Sequence, residues 1–498
     1  MGTESTIPFD EQAYLAEIDR VVGQGPFHDN WDSLAAFEPP RWFREAKFGI
    51  FLHWGIYSVP AFNNEWYSRN MYIQGKPEYE HHRETYGAQE QFGYKDFIPQ
   101  FRAEKFDAAQ WAALFRQAGA KYVFPVAEHH DGFQMYRSAL SHWNAWEMGP
   151  HRDILGELKL ALEAQGLTFC TSSHRAEHWF FMSHGKEFPS DIHEPLHRGD
   201  FYWPAMPEPN PEDLQSKPYP TEAYLTDWLL RTCELIDRYR PAVLYFDWWI
   251  QHEAFKPYLR RLAAYYYNRG AQWGKPTAIC YKHDSMMFGS GVVEVERGKF
   301  AQAQPFFWQS DTAIANNSWC YTDSLDYKTP RQILLELVDI VSKNGNLLLN
   351  VGPKSDGTIP DTDQKILREV GGWLQVNGEA IYGSRPWRKC GEGPTKEAQG
   401  QFTDSQEPAY TPADIRFTVH GGSLYCTVLR WPEDGCVTVR SLRLPENQNI
   451  PEFHGLIQKL SVLGCTEKPK WTRDTAGLHL QAPFMKSAYP VVIKVEMQ

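Results

Sequence analysis

The chain has 498 residues, which is too long for one ordinary hydrophobic core, so two domains are expected. Its formal net charge of −12 argues against a nucleic-acid partner, because acidic surfaces repel phosphate backbones and the sequence has no compensating Lys/Arg cluster. Aromatic residues make up 15% of the chain, which indicates either a large aromatic core or surfaces that stack on sugar rings.

Cysteine usage and the N-terminal residues bear on the compartment. Eight Cys are scattered without metal-site spacing and do not form a disulfide framework, although Cys426 and Cys436 are close enough in sequence to pair across a hairpin. The N-terminus has no basic segment followed by an apolar run, so no signal peptide is expected. No stretch reaches the roughly 20 apolar residues of a membrane span. We predict a cytoplasmic protein without membrane contact, or an exported one if a signal has been removed.

An N-terminal arm with one amphipathic helix at 11–22 precedes a repeated pattern. Short apolar runs alternate with stretches that have apolar residues at helical spacing, which predicts parallel βα units. The predicted strands are 48–53, 122–127, 167–172, 242–247, 277–281 and 346–351. The predicted helices are 108–117, 154–165, 223–238, 258–268, 331–342 and 363–377.

Polar, reactive side chains stand at the C-terminal ends of many of these strands. They are His53, Glu128, His129, His130, His174, Asp247 and Asn350. A (β/α)8 barrel builds its active site there from many strands at once. An open doubly wound sheet would place its ligands at one switch point and usually has a Gly-rich phosphate turn, which this sequence lacks. We therefore predict a (β/α)8-like barrel.

The pattern changes at about residue 385. Short strand-like segments follow, separated by Gly, Pro, Asn and Asp turns, and they predict a small antiparallel β-sandwich. The expected domains are a catalytic barrel with its N-terminal arm at 1–385 and a C-terminal β-sandwich at 386–498.

Asp247 is the most informative single residue. Four apolar residues run directly into it, and aromatic residues flank it. A buried barrel strand that ends in a carboxylate is where a nucleophile is placed. Asp247 could instead cap the helix that follows. The many polar strand ends favour the nucleophile.

Two adjacent histidines, His129 and His130, follow another predicted strand. With His53 and His174 they could bind a metal, but neighbouring residues on a strand point to opposite faces, so one metal fits only if the strand has ended. The alternatives are hydrogen bonding to sugar hydroxyls, which is favoured, and a structural role.

A binding wall is predicted in the loop after the first strand. Glu65 can bridge two adjacent sugar hydroxyls, and Trp66 offers an apolar face to a sugar ring. Either residue alone would be ordinary in a loop. Their position just after the strand that ends in His53 favours substrate binding.

These motifs identify the sequence as resembling family 29 of the glycoside hydrolases, the α-L-fucosidases. The resemblance spans roughly residues 40–385, in the family's order. The matching stretches are KFGIFLHWGIYSVPAFNNEWYSRNMY (47–72), YVFPVAEHHDGFQMYRS (122–138), HRDILGEL (151–158), LYFDWW (244–249) and SKNGNLLLNVGPKSDGTIP (342–360). The resemblance implies a barrel with a C-terminal β-sandwich, a retaining mechanism and no metal or other cofactor.

The resemblance also implies roles for individual residues. By position, Asp247 is the nucleophile. The positions that bind fucose are His53, Glu65, Trp66, His129 and His130. The family often has a Tyr-rich strand end where this chain reads CTSSHRAEHW, which puts His174 near that Tyr and leaves the contact open. The family often has Trp two residues before the nucleophile, where this chain has Tyr245, still aromatic and able to donate a hydrogen bond.

The general acid/base is less clearly marked. Some family members carry it in a Trp-Glu motif, but here the similar stretch has Gln309, and an amide cannot act as the acid. We favour Glu296, then Glu294, then Asp311. Glu294 and Glu296 would face the same side if the segment is extended, and Arg297 could hold one of them ionised and belongs to the predicted binding residues. The alternative is a solvated edge strand.

The sequence thus predicts an exo-acting retaining α-L-fucosidase that acts on a glycan or glycoside. The C-6 methyl of fucose is expected on Trp249 or Trp319, and the aglycone over Trp308 and Trp319. Two alternatives stay open: a related hydrolase for a galactose-configured sugar, and a sugar-binding protein without activity.

Overall fold

A computed structural model of the protein describes residues 9–405 and 407–498. A parallel sheet within these residues closes into a barrel, because β1 pairs with both β2 and β9. β3 and β4 are two pieces of one interrupted strand, so the barrel has eight strand positions. The strands are β1 (Phe48–Leu52), β2 (Tyr122–Glu128), β3 (Thr168–Phe169), β4 (Thr171–Ser173), β5 (Val243–Phe246), β6 (Ala278–Tyr281), β7 (Val292–Glu296), β8 (Trp308–Ala313) and β9 (Gly345–Val351).

Helices cover most of the barrel's outside. Apolar faces of the longer helices, such as Leu229 of α9 and Leu337 of α11, join the main hydrophobic core. The helices are α1 (Glu11–Gln24), α2 (Trp31–Leu34), α3 (Arg41–Ala46), α4 (Tyr67–Asn70), α5 (Pro77–Thr85), α6 (Ala108–Gln117), α7 (Ile154–Ala164), α8 (His178–Phe181), α9 (Glu222–Tyr239), α10 (Lys256–Gln272), α11 (Pro330–Ser342) and α12 (Asp361–Asn377). No α-helix separates β6, β7 and β8 in this described part, which makes the barrel (β/α)8-like.

An antiparallel domain follows the barrel. One sheet has the order β10-β11-β12-β17-β14 and the other β13-β16-β15. Residues such as Phe417, Leu480 and Ile493 pack between the sheets in a second core, so the predicted β-sandwich is confirmed. The strands are β10 (Arg385–Glu392), β11 (Ile415–His420), β12 (Ser423–Val428), β13 (Cys436–Val439), β14 (Ile457–Val462), β15 (Lys470–Arg473), β16 (Leu478–Gln481) and β17 (Val491–Met497).

The structure adds two barrel strands, β7 and β8, that the predicted strand set does not contain. Both carry polar side chains toward the barrel interior, so neither shows the apolar run of a buried parallel strand. Cys426 is buried and Cys436 is exposed, and both are free thiols, so the disulfide between them is not formed. Among the described residues, no helix is long and apolar enough to cross a membrane.

Candidate active site

A cavity of about 540 Å³ opens at the C-terminal ends of the barrel strands. Most of the predicted site residues line it. The lining residues are Phe51, His53, Asn64, Glu65, Trp66, Arg69, Asn70, Lys76, His129, His130, His174, Tyr245, Asp247, Trp248, Lys282, His283, Glu296, Asp311, Trp319 and Phe402. Of the residues predicted to contact the substrate or to act as the acid/base, four do not line the cavity: Trp249, Glu294, Arg297 and Trp308.

Asp247 stands directly after β5 and accepts hydrogen bonds on both carboxylate oxygens. Oδ2 lies 3.0 Å from His174 Nδ1 and 3.4 Å from His130 Nε2. Oδ1 accepts from the Lys282 ammonium at 2.9 Å and from the Trp248 backbone N–H at 2.8 Å. Burial raises the pKa of Asp247, but Lys282 and the two histidines outweigh it and bring the pKa well below its usual range. The carboxylate is therefore ionised at neutral pH.

The ammonium of Lys282 contacts both Asp247 and Glu296. In addition to its bond to Asp247, Nζ donates to Glu296 Oε2 at 2.6 Å. Because Asp247 Oδ1 and Glu296 Oε2 contact the same nitrogen, these two oxygens are no farther apart than about 5.5 Å, which is compatible with the carboxyl pair of a retaining glycosidase. Burial raises the pKa of Glu296 to about 7, helped by the negative charges of Asp311 and Asp247 and opposed by Lys282.

Lys282 is not among the residues predicted from the sequence. The cation beside the two glutamates was expected to be Arg297. The structure corrects this. Arg297 Nη2 donates to the carbonyls of Ala315 and Asn316, and its Nε pairs with Asp404, so its guanidinium lies away from Glu296 and 5.3 Å from the Trp319 ring centre. The feature of the sequence that could have indicated Lys282 as a site residue is its position directly after the predicted strand 277–281.

The other two acid candidates are neighbours of Glu296 in the sheet: Glu294 precedes it on β7, and Asp311 is its partner on β8. Glu294 points into the barrel interior, where Gln309 Nε2 donates to it at 3.0 Å, and it has no contact with the cavity. Asp311 reaches the wall but accepts the Tyr245 hydroxyl at 2.7 Å. Burial raises the pKa of both groups. Glu296 is the one of the three that both lines the cavity and accepts a hydrogen bond from Lys282, whose ammonium lies 3.9 Å from Asp311.

Four histidine rings form one side of the cavity. The ring centres of His53, His129 and His174 lie 5.0 to 5.5 Å apart, and His130 lies 4.3 Å from His129. β2 ends before His129 and His130, so both can face the site. Burial lowers the pKa of His53 and His129 well below the usual range, which leaves neutral rings that can donate and accept hydrogen bonds to hydroxyls.

The same ring nitrogens are close enough to hold a metal ion. Ligand atoms of His53, His129 and His174 lie within 4.8 Å of one another. Both nitrogens of His174 are already bonded, one to Asp247 and one to Ser172, so a metal would have to displace one of these bonds. Metal-independent activity stays a prediction.

His130 differs from its neighbours because a buried carboxylate stands behind it. Glu177 Oε2 lies 3.6 Å from its Nδ1, which also contacts the His174 carbonyl at 2.8 Å. Burial alone would lower the pKa of His130, but Glu177 and Asp247 raise it to about 9. Glu177 lies in the stretch CTSSHRAEHW, but it is not among the site residues predicted from the sequence.

Glu65 and Trp66 line the cavity beside the histidines. Glu65 is buried and accepts the Trp319 backbone N–H at 3.0 Å, and burial raises its pKa. The Trp66 ring lies 5.7 Å from His130 and is partly exposed to the cavity. Trp319 lies 5.2 Å from His53. Aromatic faces and hydrogen-bonding groups thus line one cavity, which is large enough for a sugar ring.

Two aromatic contacts predicted from the sequence are wrong. Trp249 is buried against Phe180 and does not line the cavity; its neighbour Trp248 does. Trp308 is fully buried at the start of β8, at the other end of the barrel, where its indole N–H donates to the Lys343 carbonyl. It therefore has no access to an aglycone.

Comparison with known proteins gives a consistent result. The family model described as alpha-L-fucosidase matches residues 14–379. The tissue alpha-L-fucosidase of Rattus norvegicus is 31% identical over 92% of this chain and 89% of its own length. The human plasma alpha-L-fucosidase is 33% identical over 82% of this chain and 80% of its own length. A solved Thermotoga maritima alpha-fucosidase, in complex with a mechanism-based inhibitor, superimposes with a TM-score of 0.75 at 30% identity over 94% of this chain and 99% of that one. The chain belongs to the α-L-fucosidase family.

Proposed function

We propose that the protein is a retaining exo-α-L-fucosidase that releases terminal α-L-fucose from a glycan or glycoside. The carrying observation is the ammonium of Lys282, which contacts both Asp247 and Glu296 and holds their nearer oxygens within about 5.5 Å of each other, as a double-displacement pair requires. The names of the relatives, and a Thermotoga maritima alpha-fucosidase structure described as a complex with fucose, support fucose as the sugar.

Asp247 is proposed as the nucleophile. Its pKa lies well below the usual range, so it is ionised and can attack the anomeric carbon without first losing a proton. A fucosyl ester with Asp247 forms, and the bond to the leaving oxygen breaks through an oxocarbenium-like transition state.

Glu296 is proposed as the acid and then the base. With a pKa of about 7 it holds a proton over part of the neutral range and can donate it to the leaving oxygen. Esterification removes the negative charge of Asp247, which is one of the charges that raise this pKa. The pKa of Glu296 therefore falls in the intermediate, and the ionised carboxylate deprotonates the water that cleaves the ester.

The buried end of the cavity is proposed to hold fucose. The neutral rings of His53 and His129 can donate to and accept from ring hydroxyls, and the Glu65 carboxyl can bridge two of them. Trp66 and Trp319 offer apolar surface to the C-6 methyl and the ring face.

The test uses p-nitrophenyl α-L-fucoside with the wild type and the Asp247→Ala variant. We expect turnover by the wild type and its loss in the variant, with azide restoring activity and giving the β-L-fucosyl azide, because azide then enters from the face that Asp247 occupied. Asp434→Ala, which removes an exposed carboxylate of the sandwich, is the control and should keep full activity. A folded wild type that binds fucose but cleaves no fucoside would contradict the proposal.

A further inference from the structure

The connection from β10 to β11, described at 393–405 and 407–414, leaves the sandwich and reaches the mouth of the barrel. Its backbone pairs with the end of β7 and the residue that follows: the Phe402 N–H donates to the Glu296 carbonyl at 3.1 Å, and the Thr403 N–H to the Arg297 carbonyl at 2.8 Å. Gly298 permits this approach, because a Cβ there would lie 1.9 Å from the Gly400 carbonyl oxygen. The segment is therefore fixed directly to the strand that carries the proposed acid/base.

A buried ion-pair network anchors the same segment. The Asp404 carboxylate accepts from Lys328 Nζ at 2.6 Å and from the Thr312 hydroxyl at 2.5 Å, and it lies 3.2 Å from Arg297 Nε. Lys328 is almost completely buried. Removing Asp404 would take from the buried Lys328 its nearest carboxylate and leave it with Glu336 at 3.6 Å, so the position of the segment is strongly determined.

Phe402 combines an unfavourable backbone conformation with an exposed aromatic side chain. Its side chain is 64% exposed, and its φ of 54° lies in the left-handed region that large side chains rarely adopt. An exposed Phe in a strained backbone adds little to folding, and such strain is typical of functional positions. The ring lines the active-site cavity, on the same wall as Glu296.

The place of Phe402 in the cavity indicates what it can contact. Asp247 and the histidines lie at the buried end, whereas Phe402 and His283 are exposed at the mouth. If fucose occupies the buried end, the leaving oxygen faces Glu296 and the remainder of the substrate extends toward the mouth. The first group beyond the scissile bond then lies beside Phe402.

We infer that Phe402 is a platform for the first ring of the aglycone, a neutral pyranose whose apolar face stacks on the phenyl ring. This inference rests on the proposed function. A phenyl ring has no hydrogen-bonding group, so it selects for the presence of a ring and not for a particular hydroxyl pattern. The C-terminal domain thereby supplies part of the substrate site.

The test compares two substrates that share the fucosyl group and differ in the leaving group: α-L-fucosyl fluoride, whose leaving group has no ring, and the α-L-fucosyl disaccharide that the wild type cleaves fastest. For Phe402→Ala, kcat/KM should fall about tenfold on the disaccharide and stay within about twofold on the fluoride. Phe402→Tyr should restore the disaccharide value. Phe288→Ala, at a Phe that is 58% exposed outside the cavity, should change neither value.

Other results would overturn either the role of Phe402 or the proposed function. An equal loss on both substrates, or no loss on the disaccharide, overturns the platform. Hydrolysis of the fluoride by a wild type that cleaves no ring-bearing fucoside also overturns it. Failure of the wild type to hydrolyse even the fluoride overturns the proposed function itself, so the two failures are distinguishable.

Discussion

The substitution Lys282→Met removes the charge shared by Asp247 and Glu296 and keeps most of the side-chain volume. The ammonium lies 2.9 Å from one carboxylate and 2.6 Å from the other, so it lowers the pKa of both. At an effective dielectric constant of about 20, a unit charge at these distances has an upper limit of about 6 kcal/mol on each interaction. Even a quarter of that raises the pKa of Glu296 by about one unit.

The assay is the pH dependence of kcat/KM. Glu296 must be protonated to donate, so wild-type activity should fall as the pH rises through about 7. Asp247 must be ionised, and its low pKa puts the acidic limb well below neutrality. In Lys282→Met the alkaline limb should move up by at least about one pH unit, and the maximal kcat/KM should fall about a hundredfold because the hydrogen bonds that position Asp247 and Glu296 are lost.

Two further variants serve as controls. Lys282→Arg keeps the charge and should leave the alkaline limb near its wild-type position. Lys121→Met removes an exposed ammonium that lies 4.2 Å from the Tyr382 ring centre, away from the cavity, and should leave the whole profile unchanged. An unshifted alkaline limb in folded Lys282→Met would refute the assignment of that limb to Glu296.

Three other predictions address the acid/base, the metal and the anchored segment. Glu296→Ala should slow fucosides with poor leaving groups far more than those with good ones, with azide giving the α-fucosyl azide; unchanged leaving-group dependence would exclude Glu296 as the acid. Dialysis against a chelator should leave the activity of the histidine-lined cavity intact, whereas loss that zinc restores would establish a metal site. Asp404→Ala should lower the free energy of unfolding by about 3 kcal/mol in denaturant titrations, because Lys328 stays buried without this partner. Asp356→Ala, which breaks an exposed pair with Lys105, should cost less than about 1 kcal/mol, and an equal cost for both variants would contradict the argument.

The site residues that could be predicted from the sequence are those that directly follow a recognisable strand. His53 and Asp247 each follow an apolar run, and parallel strands bring their ends to one rim, so their meeting follows from the barrel alone. Lys282 has the same position relative to β6. It was missed because a lone Lys after a strand gives no chemical signal until its two carboxylate partners are known.

Other features depend on contacts that no local pattern encodes. Phe402 meets Glu296 through a pairing between segments 106 residues apart, so the sequence gives no indication that the sandwich reaches the cavity. Trp308 was misplaced for a related reason: without β8 in the predicted strand set, its position at the bottom of the barrel was not visible. β8 itself was hidden because its interior side chains, such as Gln309, hydrogen-bond one another instead of packing as an apolar run.

The most direct test of the central claim is to trap the glycosyl-enzyme intermediate. Incubation with 2-deoxy-2-fluoro-α-L-fucosyl fluoride, followed by proteolysis and mass spectrometry, should show one 2-fluorofucosyl group per chain, on the peptide that contains Asp247. Time-dependent inactivation should accompany it. An adduct on another residue, or steady turnover with no adduct and release of 2-deoxy-2-fluoro-L-fucose in the inverted configuration, would contradict a retaining mechanism through Asp247.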